Sequence, residues 1–118
     1  MGKLSRNKGA AHERDVCRAI QDAGYKAKRN LDQYQASDGR DVTTDLPLCI
    51  QCKCGKAISL PAAWKEAVSA CEEHEWPIVW IHYNNPRGLR LVAMSEEQFV
   101  RLIQHGVMVT PKPSTVGG

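Results

Sequence analysis

Asp41-Val42-Thr43-Thr44-Asp45-Leu46-Pro47-Leu48-Cys49-Ile50-Gln51-Cys52-Lys53 reads as two short extended segments joined at Asp45–Pro47. Side chains two apart on a strand share a face. Gln51 and Lys53 therefore point one way, while Ile50, Cys52 and Cys54 point the other way into a core. Asp41 opens the first strand, so the pattern is an acid on one strand facing polar-x-Lys on the next. That pattern suits phosphodiester hydrolysis, with the carboxylate holding a divalent cation and the lysine near the attacking water. Asp45 and Asp38 compete for the acid's role, but Asp45 lies on the turn beside Pro47 and Asp38 in a loop. Period-two alternation favours Asp41.

The elements on either side follow from periodicity and punctuation. A helix is expected from about Lys8 to Asp22, stopped by Gly24. Its apolar stripe is Val16, Cys17, Ile20 and Ala23, and helical spacing puts Glu13 on the same inward stripe. A carboxylate there needs an ion pair, hydrogen bonds or a metal, and Arg14 and Lys53 are the candidate ion-pair partners. Tyr25–Asn30 reads as a first strand, and residues 31–40 as a polar loop ending in turn chemistry. After the two strands Asp41–Asp45 and Leu48–Cys54, Pro61 opens a helix to about Glu73, with Ser59 as its cap. Its apolar face is Leu60, Trp64, Ala67, Val68 and Cys71. Pro77–Tyr83 is a buried strand, Asn84–Gly88 a turn and Leu89–Met94 another strand. Ser95-Glu96-Glu97-Gln98 is a capping box for a last helix ending near His105–Gly106. The order is helix, three strands, helix, two strands, helix: an α/β sandwich around one mixed sheet.

At 118 residues the chain is one domain with a modest core. Residues 1–8 read as a basic flexible arm, 9–106 as the folded domain and 107–118 as a tail. No apolar run approaches bilayer length and no secretory leader is present, so the cytoplasm is the expected compartment. Residues 1–30 carry eight basic and three acidic side chains, a net +5 that leaves −2 for the rest of a chain whose total is +3. A basic end on a near-neutral body suits a polyanion, nucleic acid first. The five cysteines are an odd number, which fits free thiols better than a disulfide framework. Cys49-x-x-Cys52-x-Cys54 has zinc-like spacing, but strand alternation turns Cys49 away from the other two, and small buried hydrophobes are the better reading. His12 lies beside Glu13, within reach of phosphate or metal, whereas His74, His82 and His105 show no spacing with acids; all four read best as surface or satisfied residues.

Taken together, Ser5-Arg6-Asn7-Lys8-Gly9-Ala10-Ala11-His12-Glu13-Arg14-Asp15, Ser37-Asp38-Gly39-Arg40-Asp41-Val42 and Ile50-Gln51-Cys52-Lys53 resemble the PD-(D/E)XK nuclease superfamily. The closer likeness is to the small Holliday junction resolvases of archaea and some phages. The resemblance implies a restriction-endonuclease-like core, a mixed central sheet flanked by helices. Carried over by position, Glu13 is the helix acid, Asp41 the principal metal ligand and Lys53 the motif lysine. Gln51 stands where an acid is usual; its amide oxygen can coordinate a hard cation but brings no charge, which weakens Mg²⁺ binding. The implied site holds Mg²⁺, or Mn²⁺, through Glu13, Asp41, Gln51 and the backbone carbonyl of Cys52. DNA contacts are expected from Lys3, Arg6, Lys8, Arg14, Ser37, Arg40 and Lys56. The expected substrate is a four-way junction cut by paired symmetric nicks, which suits a C2 homodimer. Trp76, Trp80, Phe99, Leu102 and Ile103 are interface candidates, with core packing the better reading of Trp80. Two other functions stay open: a duplex or flap nickase or restriction-type enzyme, and a non-catalytic DNA-binding module.

Overall fold

Leu48–Gly55 is the strand that everything else is built on. In the computed structural model, which describes residues 2–31, 40–84 and 88–106 and side chains from residue 9 onward, it is the third strand of a five-stranded sheet. The elements run α1 (Gly2–Asp22), β1 (Ala27–Arg29), β2 (Val42–Thr44), β3 (Leu48–Gly55), α2 (Leu60–Ala70), β4 (Trp76–Tyr83), β5 (Leu89–Ala93) and α3 (Glu96–Gln104). Spatial order equals chain order, β1-β2-β3-β4-β5. Only β3 and β4 are parallel, in register from Leu48–Trp76 to Gly55–Tyr83, and the other pairs are antiparallel. A parallel neighbour needs a crossover, and α2 is that crossover. The expected mixed sheet flanked by helices is therefore observed.

Helix α1 covers β1 to β3, and α2 covers β3 and β4. Each face of β3 thus meets its own core. On one side Val16, Cys17 and Ile20 of α1 pack with Val42, Ile50 and Ile78, flanked by Cys52 and Trp80. On the other, Ala63 and Ala67 of α2 pack on Val79 and Ile81, flanked by Trp64 and Tyr83. The period-two reading of Ile50 and Cys52 against Gln51 and Lys53 maps onto these two sides.

The ends of the elements follow local chemistry. Gly24, at φ +101°, ends α1 in a conformation that a side chain would strain. Ser59 caps α2 by accepting from the Ala62 amide, ahead of Pro61 in the first turn. Ser95 accepts from the Gln98 amide and starts α3.

Three expectations are corrected. Residues 2–8, expected as a loose arm, continue α1 back to Gly2, because the Ala10-Ala11 pair propagates helix well enough to carry Gly9. Of the face expected for α2, Ala67 is buried and Trp64 packs beside the core, but Leu60 and Val68 are exposed and Ala63 takes their place: small side chains let the helix settle close on the sheet. Ala23, assigned to the stripe of α1, is exposed beyond the end of the helix. The loop 32–39 and the tail from residue 107 lie outside the described residues. Among the described residues no helix is long and apolar enough to cross a membrane.

His12 is neither a surface residue nor fully satisfied. It is 1% exposed, its Nε2 lies 2.9 Å from the Trp80 carbonyl oxygen, and Nδ1 has no partner among the described residues. Donation from Nε2–H fixes the neutral tautomer with a bare Nδ1. Burial, with Arg90 and His82 nearby, lowers its pKa against the opposing effects of the Trp80 carbonyl and Asp15. The folded state then binds fewer protons at this ring than the unfolded chain does. The sign follows: the contribution is full above the unfolded histidine value and is lost as pH falls through the folded one. The His12 contribution to the urea midpoint, read as the difference between wild type and a variant without the imidazole, should fall as pH is lowered below about 6.5, the unperturbed histidine value. His12→Gln, which keeps a donor toward Trp80, should lessen that part of the acid dependence.

Candidate active site

Asp41, Gln51 and Lys53 come together where β2 begins against the middle of β3. The register pairs Val42 with Ile50, which sets Asp41 beside Gln51 one step further along. The Asp41 amide donates to the Ile50 carbonyl, and the Asp41 carboxylate accepts 2.8 Å from the Cys52 amide through Oδ2. The aspartate thus takes over a ladder amide of β3, which fixes its side chain against the strand. Gln51 is 4% exposed, buried on the α2 side. Lys53, further along the same face, ends in an ion pair with Glu66 of α2 at 2.8 Å.

Glu13 is inward on α1, as its spacing demands, and half-buried. Its partner is neither Arg14 nor Lys53 but Arg29 on β1, at 3.0 Å. It stands near enough to Asp41 to act on its titration. Burial is the chief cause that raises the Asp41 pKa to about 6; Glu13 and Glu66 push the same way, while the Cys52 amide and Lys53 pull it down. A carboxylate held in that state is a place where a cation is welcome, because a positive charge there would offset all three anions.

The donors available are oxygens. Among the described residues no group of three or more His, Cys, Asp or Glu side chains is arranged to hold a metal ion. By donor chemistry Asp41, Glu13, the Gln51 amide oxygen and the Cys52 carbonyl suit a hard cation that takes one or two carboxylates and keeps its own waters, with Glu13 approaching from the α1 side of β3 and Gln51 lying on the α2 side. They do not fit zinc, which takes a tetrahedral nitrogen and sulfur shell in structural sites. Burial pushes the thiols of Cys17, Cys52 and Cys71 up, so these stay protonated, in keeping with small hydrophobes rather than thiolate ligands.

The expected DNA contacts divide. Arg14 and Lys56 are exposed. The side chains of Lys3, Arg6 and Lys8, and all of Ser37, lie outside the described residues. Arg40 has partners within the fold: its guanidinium grips Glu75 through both terminal nitrogens, at 2.7 and 2.9 Å, and donates to the Ala70 carbonyl. The two side chains are only 11% and 9% exposed. A fork-to-fork arginine–carboxylate pair of this kind is a structural clamp. It ties the start of β2 to the segment between α2 and β4. The Glu75 carboxyl is held below its usual range by those hydrogen bonds. Residues the sequence did not single out include Lys26 and Lys28, exposed along a groove of about 420 Å³ beside β1 and β2. Glu66 and Arg29 were also missed, since each acquires its role only through a partner on another element.

No family model matches the chain, and no curated protein matches it.

Two measurements check this geometry. Asp41→Asn keeps an acceptor for the Cys52 amide and removes a charge the fold disfavours. Because the folded pKa lies above the unfolded one, the cost of the aspartate grows as pH rises from about 4 to about 6 and is constant above that. The variant should be more stable than wild type by about 3 kcal/mol at neutral pH without metal, and no different near pH 3, by urea unfolding. Arg40→Ala should cost about 3 kcal/mol by leaving Glu75 buried and unpaired. Nucleic-acid affinity of the folded variant, measured by fluorescence anisotropy, should be unchanged.

Proposed function

We propose that the chain is a metal-dependent endodeoxyribonuclease of the PD-(D/E)XK type that nicks four-way DNA junctions. One observation carries this: Asp41, at the start of β2, accepts a β3 amide within electrostatic reach of both Lys53 and Glu13. The sheet order and the single parallel pair with its crossover helix agree with the core that the resemblance implies.

Asp41 and Glu13 would hold Mg²⁺ or Mn²⁺, with the Gln51 amide oxygen and the Cys52 carbonyl completing the protein donors. Such a cation supplies an acidified water and offsets charge on the phosphate when bound. Gln51, neutral and buried, orients an oxygen without adding to the repulsion around Asp41. Lys53 presents a compact ammonium with three donors, suited to a phosphate oxygen and the attacking water.

Branched DNA is favoured over a base sequence because, among the described residues, no element is added to the core to enter a groove and read base edges. Its exposed cations Arg14, Arg18, Lys26, Lys28 and Lys56 suit phosphate contacts, which position without specifying. A C2 pair would present two such sites to the two scissile strands. The exposed Phe99, Val100 and Ile103 of α3 and Leu91 and Val92 of the edge strand β5 are the apolar surface available for it.

The experiment is cleavage of a labelled four-way junction beside its matching linear duplex, with Mg²⁺ or EDTA, for wild type and Asp41→Asn. Paired symmetric nicks on the junction alone, lost with EDTA and lost by at least about 100-fold in the variant, support the proposal. Equal cutting of both substrates would make the chain a duplex nuclease. Tight junction binding with no metal-dependent cutting would favour a binding module, the reading to which the Glu13–Arg29 pair and the neutral Gln51 lend weight.

A further inference from the structure

Glu66 lies midway along α2, three residues after buried Ala63 and one before buried Ala67, on the flank of the helix that faces β3. From there Oε1 accepts a 2.8 Å bond from Lys53 Nζ. Among the described residues it is the one carboxylate within ion-pair distance of that ammonium. The strand itself offers Lys53 no counter-charge, because Gln51, the preceding residue on that face, is neutral. The pair is not a stability device. Its side chains are 32% and 53% exposed, and ion pairs at such sites add little. What it does is fix one end of a side chain that otherwise turns about several bonds.

We propose that Glu66 is a positioning residue: from α2 it holds the Lys53 ammonium over the face shared by Asp41 and Gln51, and it brings to that face the negative charge that residue 51 does not carry. This rests on the nuclease reading. One of the three ammonium donors goes to Glu66, which aims the other two toward the phosphate and water positions beside Asp41. The role assigned to Glu66 is toward the lysine to which it is bonded and not toward the cation.

The test is single-turnover cleavage and junction binding for wild type, Glu66→Gln, Glu66→Asp, Gln51→Glu and the double variant Gln51→Glu/Glu66→Gln. Binding is measured separately in EDTA, and thermal melts report on the fold. Glu66→Gln should lower the cleavage rate about 10- to 100-fold, the scale of a misplaced reacting group. Its junction affinity should stay within about twofold and its melting temperature should match wild type. Glu66→Asp should recover part of the loss. Gln51→Glu should recover most of it in the double variant, since a carboxylate two residues before Lys53 on the same face can take over the ion pair. A merely structural glutamate would not be rescued from a different element. A wild-type rate in Glu66→Gln, or a double variant no faster than Glu66→Gln, overturns the positioning role and leaves the nuclease reading standing. A wild type that cuts neither junction nor duplex overturns the nuclease reading and this proposal with it.

Discussion

β3 is paired along both edges and covered on both faces, and that double confinement is the constraint from which the rest of the molecule follows. An interior strand cannot slip: a shift of one residue would send Ile50 and Cys52 to the α2 side and Gln51 and Lys53 into the α1 core. The eight-residue parallel register with β4 and the antiparallel pairing with β2 therefore fix where polar-x-Lys stands, and Asp41 is fixed in turn by accepting a β3 amide. The cost appears as the carboxyl of Asp41, held at about 6 by burial next to other acids. A fold that needed only a core would place an apolar residue there.

Charge inside the domain is matched across elements distant in sequence. Glu13 of α1 meets Arg29 of β1, Asp15 of α1 meets Arg90 of β5, and Arg40 before β2 meets Glu75 before β4. Their burial separates their roles. The Arg40–Glu75 clamp is deep, so it is costly to break and fixes the approach to the site. The Arg90–Asp15 pair is more than a third exposed on both sides and adds little. Between them, Glu13 and Arg29 keep a carboxylate near Asp41 while limiting its repulsion.

The order of the elements was legible because each carries its own period and punctuation: β-branched and aromatic β4, the serine caps of α2 and α3, and Gly24 after α1. The acid-then-polar-x-Lys pattern was legible because strand alternation is strict. What stayed hidden was whatever depends on a partner. Arg29 becomes the mate of Glu13 only once β1 is laid beside α1. Arg40 looked like a loop cation until Glu75 was brought to it. The same helical spacing that placed Glu13 inward also places His12 inward, four residues before Val16, and that signal was present in the sequence but passed over. The face of α2 is half legible: Ala67 and Trp64 follow the expected spacing, whereas Leu60 and Val68 give way to Ala63 because close approach to the sheet belongs to alanine. With α2 seated on Ala63 and Ala67, Glu66 stands at the half-exposed edge that meets Lys53.

That placement bears on why a neutral residue stands at position 51. Gln51 is almost wholly buried beside an aspartate whose carboxyl already resists ionisation. A third carboxylate at that depth would add desolvation and like-charge repulsion beside Asp41 in the metal-free fold, a cost that only a bound cation would offset. The same charge carried on α2 is half in water, where its own solvation is kept and its effect on Asp41 is screened. On the proposed reading, the site keeps a counter-charge for its lysine while sparing the core a second buried anion. Its cation then relies on Asp41 and Glu13 for charge, and the two roles that an acid at position 51 would combine, ligand and lysine partner, are divided between Gln51 on the strand and Glu66 on the helix.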